Sequence, residues 1–189
     1  MSLIYELLQT PDSLKQFFDQ STRTRNLDSL SSANLLTAND SVIDLINDQT
    51  SNLYLNLVEG SYNGLIITTD NTQILGLGNV VFKTTVQNLT DSGVTESLRI
   101  QNNSRISNVK CLGDVSVDTG GTTTIFNNCV FEGEVAIATT VNTHFIGCVF
   151  ASTGTCINLA GGGAAFVIGC SRPNGGAHVG APTIIAETT

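Results

Sequence analysis

The sequence predicts an all-β fold, a single-stranded parallel β-helix of about six coils, and two observations lead to this prediction. The first is a six-residue pattern that returns three times between residues 122 and 172. In each copy an apolar residue and two further residues, of which the second is Asn or Gly, precede a Cys. The second is the spacing, because 19 residues separate Cys129 from Cys148 and 22 separate Cys148 from Cys170. A period of this length is typical of stacked coils, none of which buries its apolar face alone.

The same pattern can be followed towards the N-terminus, where Val109 and then Val80 stand in the Cys position. The residue two positions later is also apolar, and period-two alternation places both side chains on one face of a strand. The pairs are Val80 and Phe82, Val109 and Cys111, Cys129 and Phe131, and Cys148 and Phe150. The preceding Asn or Gly is expected to form a corner, because both tolerate the left-handed conformation of a tight bend. A second short strand is predicted after this run, at Val115 and Val117 and again at Val135 and Ile137.

The cysteines predict a core column rather than a disulfide framework, because their number is five and therefore odd. Cys129, Cys148 and Cys170 stand in equivalent positions of successive coils, and Cys111 stands two positions further along its own coil. Free cysteine packs as a small buried hydrophobe. A metal site is not indicated, since the chain has no CxxC and only two histidines. Reduced cysteines predict assembly in a reducing cytoplasm.

Composition bounds the classes of function. The chain has 189 residues, of which 13% are charged, and a formal net charge of −8. This acidic balance argues against a nucleic-acid partner, which would require a basic face. No apolar run is long enough to cross a membrane, and the N-terminus has no signal-peptide pattern, so neither a membrane partner nor export is expected.

Residues 1–38 are predicted to form an N-terminal helical arm followed by an extended connector. Thr10 is a suitable N-cap and Pro11 a suitable first helical residue. Leu14, Phe17 and Phe18 then form one apolar stripe of the helix. Two interpretations stay open, a helix folded onto the protein's own body and an arm docked on a neighbouring subunit.

Residues 39–189 are predicted to form the β-helix domain. A short helix at about 40–48 is expected to cap the open end of the solenoid, where strand edges and apolar side chains would otherwise be exposed. Residues 83–103 break the period, and a turn signal at 90–93 lies between two β-rich runs, 83–89 and 94–100, which predicts an insertion that leaves one coil.

The segment from Leu53 to Gly64, LYLNLVEGSYNG, carries a resemblance. It is similar to the first coil of right-handed, pectate-lyase-like β-helix proteins, and TQILGLGN at 72–79 fits the opening that follows in that family. The resemblance covers about residues 40–172 and implies a right-handed solenoid. It says little about activity, because this scaffold serves polysaccharide lyases, hydrolases, tailspikes and non-enzymatic virion proteins.

Asp114 and Glu134 are the candidates for chemistry, because each follows a corner glycine and the two should lie about one strand spacing apart. Such a pair can hold Ca²⁺ or supply an acid and a base for glycoside cleavage. No Arg or Lys falls on the same ladder, and Arg105 and Arg172 meet no carboxylate in the alignment of the repeats. We therefore interpret the pair as solvated side chains that limit edge-to-edge association. No catalytic residue, cofactor or metal is predicted, and the protein is not expected to be an enzyme.

The short solenoid with its N-terminal arm favours a non-enzymatic structural protein of a tailed-phage virion. The chain resembles the cement or decoration proteins that bind the outside of icosahedral capsids, commonly as trimers. The resemblance implies the major capsid protein as the partner, a homotrimer, no small-molecule substrate, and a location on the capsid exterior after assembly in the host cytoplasm. The expected partner-binding residues are Tyr5, Leu14, Phe17 and Phe18.

Three alternatives stay open. A tail fibre or tailspike segment belongs to the same class, but the chain shows no coiled coil or receptor-binding domain. A carbohydrate-active enzyme belongs to a different class and would depend on Asp114 and Glu134. A bacterial surface or ice-binding solenoid is disfavoured by the cysteines and by the lack of an export signal.

Overall fold

A computed structural model describes residues 24–26, 54–62, 64–67, 70–84, 86–87, 95–118, 123–138, 141–159 and 162–189. Every regular element in these ranges is a β-strand. The predicted arm at 1–38, apart from its short strand β1, and the predicted capping helix at 40–48 lie outside the described residues. The strands are β1 (Thr24–Asn26), β2 (Tyr54–Tyr62), β3 (Leu65–Ile67), β4 (Thr72–Phe82), β5 (Val86–Gln87), β6 (Thr95–Ile100), β7 (Ser104–Cys111), β8 (Asp114–Val117), β9 (Thr123–Asn127), β10 (Val130–Phe131), β11 (Val135–Ile137), β12 (Asn142–Ile146), β13 (Val149–Phe150), β14 (Thr155–Asn158), β15 (Ala164–Ser171), β16 (Ala177–Val179) and β17 (Thr183–Thr188).

The strands form a parallel β-solenoid, which confirms the all-β class and the parallel β-helix architecture of the prediction. A first sheet runs β1-β2-β4-β7 and continues through β9, β12 and β15 before a corner and through β10, β13 and β15 after it, with β17 added to β15. A second sheet runs β3-β6-β8-β11-β14-β16. Each coil contributes one pass through both sheets, so six complete coils lie between β1 and β17. Among the described pairings only the short β5–β6 pair is antiparallel.

The prediction that residues 83–103 form an insertion is wrong for residues 95–103. β6 is a regular strand of the second sheet, in register with Leu65–Ile67 on one side and with β8 on the other. Its residues Leu98 and Ile100 are fully buried in the core. The excursion is therefore limited to the residues before Thr95, where β5 folds back on β6.

Inward-facing side chains form continuous columns along the solenoid axis. All of the predicted apolar pairs from Val80 to Phe150 are buried, and so are Val115, Val117, Val135 and Ile137 of the second sheet. Phenylalanines fill the middle of the core: Phe126 stacks on Phe145 at a centroid distance of 5.3 Å, and Phe131 stacks on Phe150 at 5.6 Å. The two stacks meet edge to face, a favourable arrangement for aromatic rings.

The corner predicted between the two runs of the first sheet is present. Asn108, Asn128, Gly147 and Gly169 occupy this position in four successive coils, and each has a positive φ of 51° to 62°. Asn and Gly are the residues that adopt this left-handed conformation at least cost. The repeat of Asn or Gly before the buried pair is therefore the sequence signature of the corner.

Candidate functional site

The outer face of the first sheet is a continuous surface built by six adjacent strands. Alternation in β4, β7, β9, β12, β15 and β17 turns every second side chain outwards, and register aligns them in two ladders. We call these side chains the outer face. One ladder is Gln73, Arg105, Ile125, His144, Phe166 and Thr183, and the other is Leu75, Ser107, Asn127, Ile146, Ile168 and Ala186.

The outer face changes character along the solenoid. Ile125, Ile146, Phe166 and Ile168 make its C-terminal half apolar, and His144 stacks on Phe166 at a centroid distance of 4.8 Å. No member of either ladder is Asp or Glu, although the whole chain carries 16 acids against 8 bases. Partly exposed apolar side chains in a continuous patch mark surfaces that bind protein or another apolar partner.

A shallow, open groove lies beside the polar half of the outer face and has a volume of about 430 Å³. It crosses three coils and is lined by Asn71, Thr72, Gln73, Asn103, Ser104, Arg105, Thr123 and Ile125. Asn103 ties these coils together, because its amide nitrogen donates to Asp70 at 2.8 Å and its amide oxygen accepts from the Thr123 backbone at 2.9 Å. The exposed Arg105 supplies the positive charge of the groove.

The predicted carboxylates Asp114 and Glu134 do lie on adjacent coils, and the structure adds a third, Glu96, in register with Asp114. Asp114 accepts a hydrogen bond from the Glu134 backbone amide at 2.8 Å. Glu134 accepts one from the Asn158 side chain at 2.8 Å. Glu96 is buried and accepts one from the Ser116 hydroxyl at 2.5 Å, while its Oε2 has no partner.

These contacts join successive coils, which is the arrangement that a structural carboxylate needs. Within the described ranges no three His, Cys, Asp or Glu side chains come close enough to hold a metal ion. The sequence analysis did not identify Glu96 as part of this ladder, because Glu96 falls within the predicted insertion at 83–103. Its position in β6, two residues before the buried Leu98, is the signal that could have placed it on the ladder.

No family model, curated protein or solved structure matches the chain. In the part of the chain that the structure describes, no helix has the length and hydropathy needed to cross a membrane.

The last coil contains a buried ionic cluster formed by Arg172, His178 and Glu187. Arg172 Nε lies 2.8 Å from one Glu187 oxygen, and His178 Nε2 lies 3.0 Å from the other. Only 3% of the Glu187 side chain and 6% of the His178 side chain are exposed. Arg172 also donates to the backbone carbonyl of Gly176. The expectation that Arg172 meets no carboxylate is therefore wrong.

The four cysteines of the predicted column, together with Cys156, are buried and free. Burial raises the pKa of Cys111. A contact between the Cys148 and Cys129 thiols, together with burial, raises the pKa of Cys148 to about 12. The contact with Cys148, followed by burial, raises the pKa of Cys170. Such thiols are poor nucleophiles and poor metal ligands, because both roles require the thiolate.

The predicted partner-binding residues Tyr5, Leu14, Phe17 and Phe18 lie outside the described residues. His144 lies within β12 and is half-buried against Phe166. His178 lies in β16, and its ring meets the Phe150 ring edge to face at a centroid distance of 5.6 Å.

Proposed function

We propose that the protein is a non-catalytic structural protein of a virus particle, a decoration protein that binds the outside of a phage capsid and stabilises it. The proposal that the protein is non-catalytic is supported by the hydrogen bonds that the aligned carboxylates accept. Asp114, Glu134 and Glu96 each accept a hydrogen bond from the neighbouring coil. A general acid or base must instead direct its carboxyl group at the bond that it cleaves.

The solenoid in this proposal is a rigid, right-handed spacer. Coils stacked through aromatic and cysteine columns form a closely packed body with few ways to deform. Tyr5, Leu14, Phe17 and Phe18 grip the major capsid protein and neighbouring copies in a homotrimer on the capsid exterior. Many weak contacts repeated over a symmetric shell add up to a large stabilisation, because each copy tethers the others.

The test of this proposal measures assembly and shell binding together. Size exclusion with light scattering gives the native mass, and sedimentation with purified phage shells, stripped of their own decoration proteins, measures binding. A trimer that co-sediments with shells supports the proposal, and a monomer that remains in the supernatant overturns it. A variant lacking residues 1–20, which keeps β1, should lose shell binding while its circular-dichroism spectrum still shows the folded β-solenoid.

A carbohydrate-active enzyme is the second candidate, and the third carboxylate on the ladder, Glu96, is the observation that favours it. We expect a screen of polysaccharides to show no cleavage. Cleavage that is lost in the double variant Asp114→Asn, Glu134→Gln would overturn the non-catalytic proposal. The matched control is Glu132→Gln, since Glu132 is an exposed carboxylate paired with Lys110 and lies off the ladder.

A further inference from the structure

The apolar half of the outer face is partly exposed in the described part of the chain. Ile125, Ile146 and Phe166 belong to β9, β12 and β15, which are adjacent strands, and 39% of Ile146 is exposed. The patch is therefore continuous over three coils rather than a set of scattered apolar residues. Continuous apolar patches on soluble proteins are normally covered by a partner or by another part of the chain.

The N-terminal part of the chain leaves the solenoid at one end of this same ladder. Thr24 of β1 is in register with Tyr54, which is in register with Gln73 and so with Arg105 and Ile125. Thr24, the first of the described residues, therefore lies in line with the outer face. From Thr24 to His144 is five strand spacings, or about 24 Å.

The length of residues 10–23 agrees with the length of the outer face that this segment would have to cover. Three residues, 21–23, would span about 10 Å in an extended conformation, enough to cover the two spacings from Thr24 to Gln73. An α-helix over residues 10–20 would be about 16 Å long. That length covers the three spacings from Arg105 to Phe166, about 14 Å.

The chemistry of the two surfaces also agrees. The stripe of Leu14, Phe17 and Phe18 is one helical face wide and matches an apolar patch of three coils. Residues 1–20 carry three acids against one base, Lys15, so most of the surface of this acidic protein would repel them. The outer face has no acid and carries Arg105 at the edge of its apolar half.

We propose that residues 10–20 dock as an amphipathic helix on the outer face of the same chain, with Leu14, Phe17 and Phe18 against Ile125, Ile146 and Phe166. Tethering favours this intramolecular contact, because the connector is short and the effective concentration is correspondingly high. The inference concerns the free protein and does not depend on the proposed function. If the segment also grips a shell, it must first leave this face.

Limited trypsin digestion, followed by mass spectrometry of the product cleaved after Lys15, tests the docking in the full-length protein. Cleavage requires the helix to leave the face and unfold, so its rate follows the population of the open form. Ile146→Asp should accelerate this cleavage about tenfold or more, because it places a charge under the docked stripe. The matched control is Leu112→Asp, since Leu112 is 37% exposed, nearly as exposed as Ile146, but lies away from the outer face.

A second variant tests direct contact between the two surfaces. Phe17→Ala should also accelerate cleavage after Lys15, and adding Ile146→Asp to it should give much less than the product of the two single effects. Equal cleavage rates in the wild type, Ile146→Asp and Phe17→Ala would overturn the proposal. So would equal acceleration by Leu112→Asp, or protection that disappears on dilution, which would mean that the segment comes from another copy.

Discussion

The core of the middle coils and the core of the last coil are built from different chemistry. One inward column of the second sheet runs Leu65, Leu98, Val115, Val135 and Ile157 and then reaches His178. A column of the first sheet runs Tyr62, Phe82, Cys111, Phe131 and Phe150. Val149 pairs with Ser171, so the next position of this column is Arg172. Hydrocarbon columns thus end in a cluster of ionisable side chains.

The difference follows from how many neighbours an inward-facing side chain has. In a middle coil it is covered by the coil on each side, so an apolar residue is favoured. Beyond the sixth coil only β17 follows, and Ile184 at the end of the Phe126 column is 48% exposed. Arg172, His178 and Glu187 close this end with hydrogen bonds and charge, which tolerate partial exposure to water. The stability of the middle therefore depends on packing, and that of the end on an intact ionic cluster.

Removing a packed ring from the middle should have the largest effect. Phe145 is fully buried and contacts three other phenylalanine rings, Phe126, Phe131 and Phe150. Phe145→Ala should lower the free energy of unfolding by about 3–5 kcal/mol, through lost burial and the cavity that remains. Chemical denaturation measures this change.

Leu112→Ala is the control for Phe145→Ala, because Leu112 is 37% exposed and lies away from both the core and the outer face. It should change the free energy of unfolding by less than about 0.5 kcal/mol. Similar losses for the two variants would show that the core of the middle coils does not depend on ring packing.

Alkaline pH should weaken the packed core next, because three of its thiols, two in middle coils and one in the last coil, stay protonated in the folded protein where they ionise in the unfolded chain. The pKa of Cys148 is raised from 9.0 to about 12, and those of Cys111 and Cys170 are raised as well. Their stabilising contribution is complete below pH 9 and is lost as the pH rises towards 12. A fully buried thiol should cost about 1 kcal/mol between pH 9 and 10, so the three together should cost at most about 3 kcal/mol.

Unfolding measured at a series of pH values checks this slope, and Cys148→Val is the control. Val fits the position, because Val80 and Val109 occupy it in earlier coils. The variant should lose at least one third of the slope between pH 9 and 10, since its own thiol is gone and its contact no longer raises the pKa of Cys170. An unchanged slope would mean that the alkaline loss comes from other groups.

Breaking the ionic cluster should affect the last coil alone. Glu187→Gln leaves the charged Arg172 without a carboxylate and should cost about 2–3 kcal/mol in local stability, because one member of a buried pair is removed. The Arg172 backbone amide donates to Thr188 and should lose hydrogen-exchange protection. Amides of the middle coils should keep theirs.

Glu132→Gln is the control for Glu187→Gln, because the Glu132–Lys110 pair is 42% and 37% exposed. Its loss should be worth less than about 1 kcal/mol, as for other surface ion pairs. If Glu187→Gln instead lowers protection evenly along the solenoid, the two regions unfold as one unit and the distinction between them fails.

Local periodicity explains how much of the fold the sequence could predict. The coils, the inward pairs and the Asn or Gly corners all follow from residues within one repeat, where alternation and turn chemistry act over a few positions. The insertion was misassigned because Leu98 and Ile100 lie behind a ten-residue excursion, which hides their alignment with Val115 and Val117.

The ionic cluster could not be predicted in the same way. Glu187 reaches Arg172 only because β17 pairs with β15, and that pairing contains two register shifts. Each shift moves the partner by one residue and so exchanges inward and outward faces. Spacing in the sequence cannot reveal such shifts. The docking of residues 10–20 on the outer face stays a prediction for a related reason. The repeat pattern does not include these residues, so spacing in the sequence cannot align them with the outer face.

The smallest expected effect is a difference in stability between two corner variants, Gly147→Ala and Gly169→Ala. It distinguishes the cost of a strained backbone from the cost of a crowded side chain at the corner, where the middle coils have Asn and the later coils have Gly. Gly147 and Gly169 share a φ of 62°, so an added Cβ should cost either one about 1 kcal/mol in conformational strain. At Gly169 that Cβ meets nothing within 4 Å, whereas at Gly147 it lies 2.6 Å from Asn128 Oδ1. Gly147→Ala should therefore be less stable than Gly169→Ala by roughly a further 0.5 kcal/mol in chemical denaturation, the cost of moving the Asn128 side chain. Combining Gly147→Ala with Asn128→Gly should remove that difference, and a difference that persists would place the cost in the backbone of the coil rather than in the crowded corner.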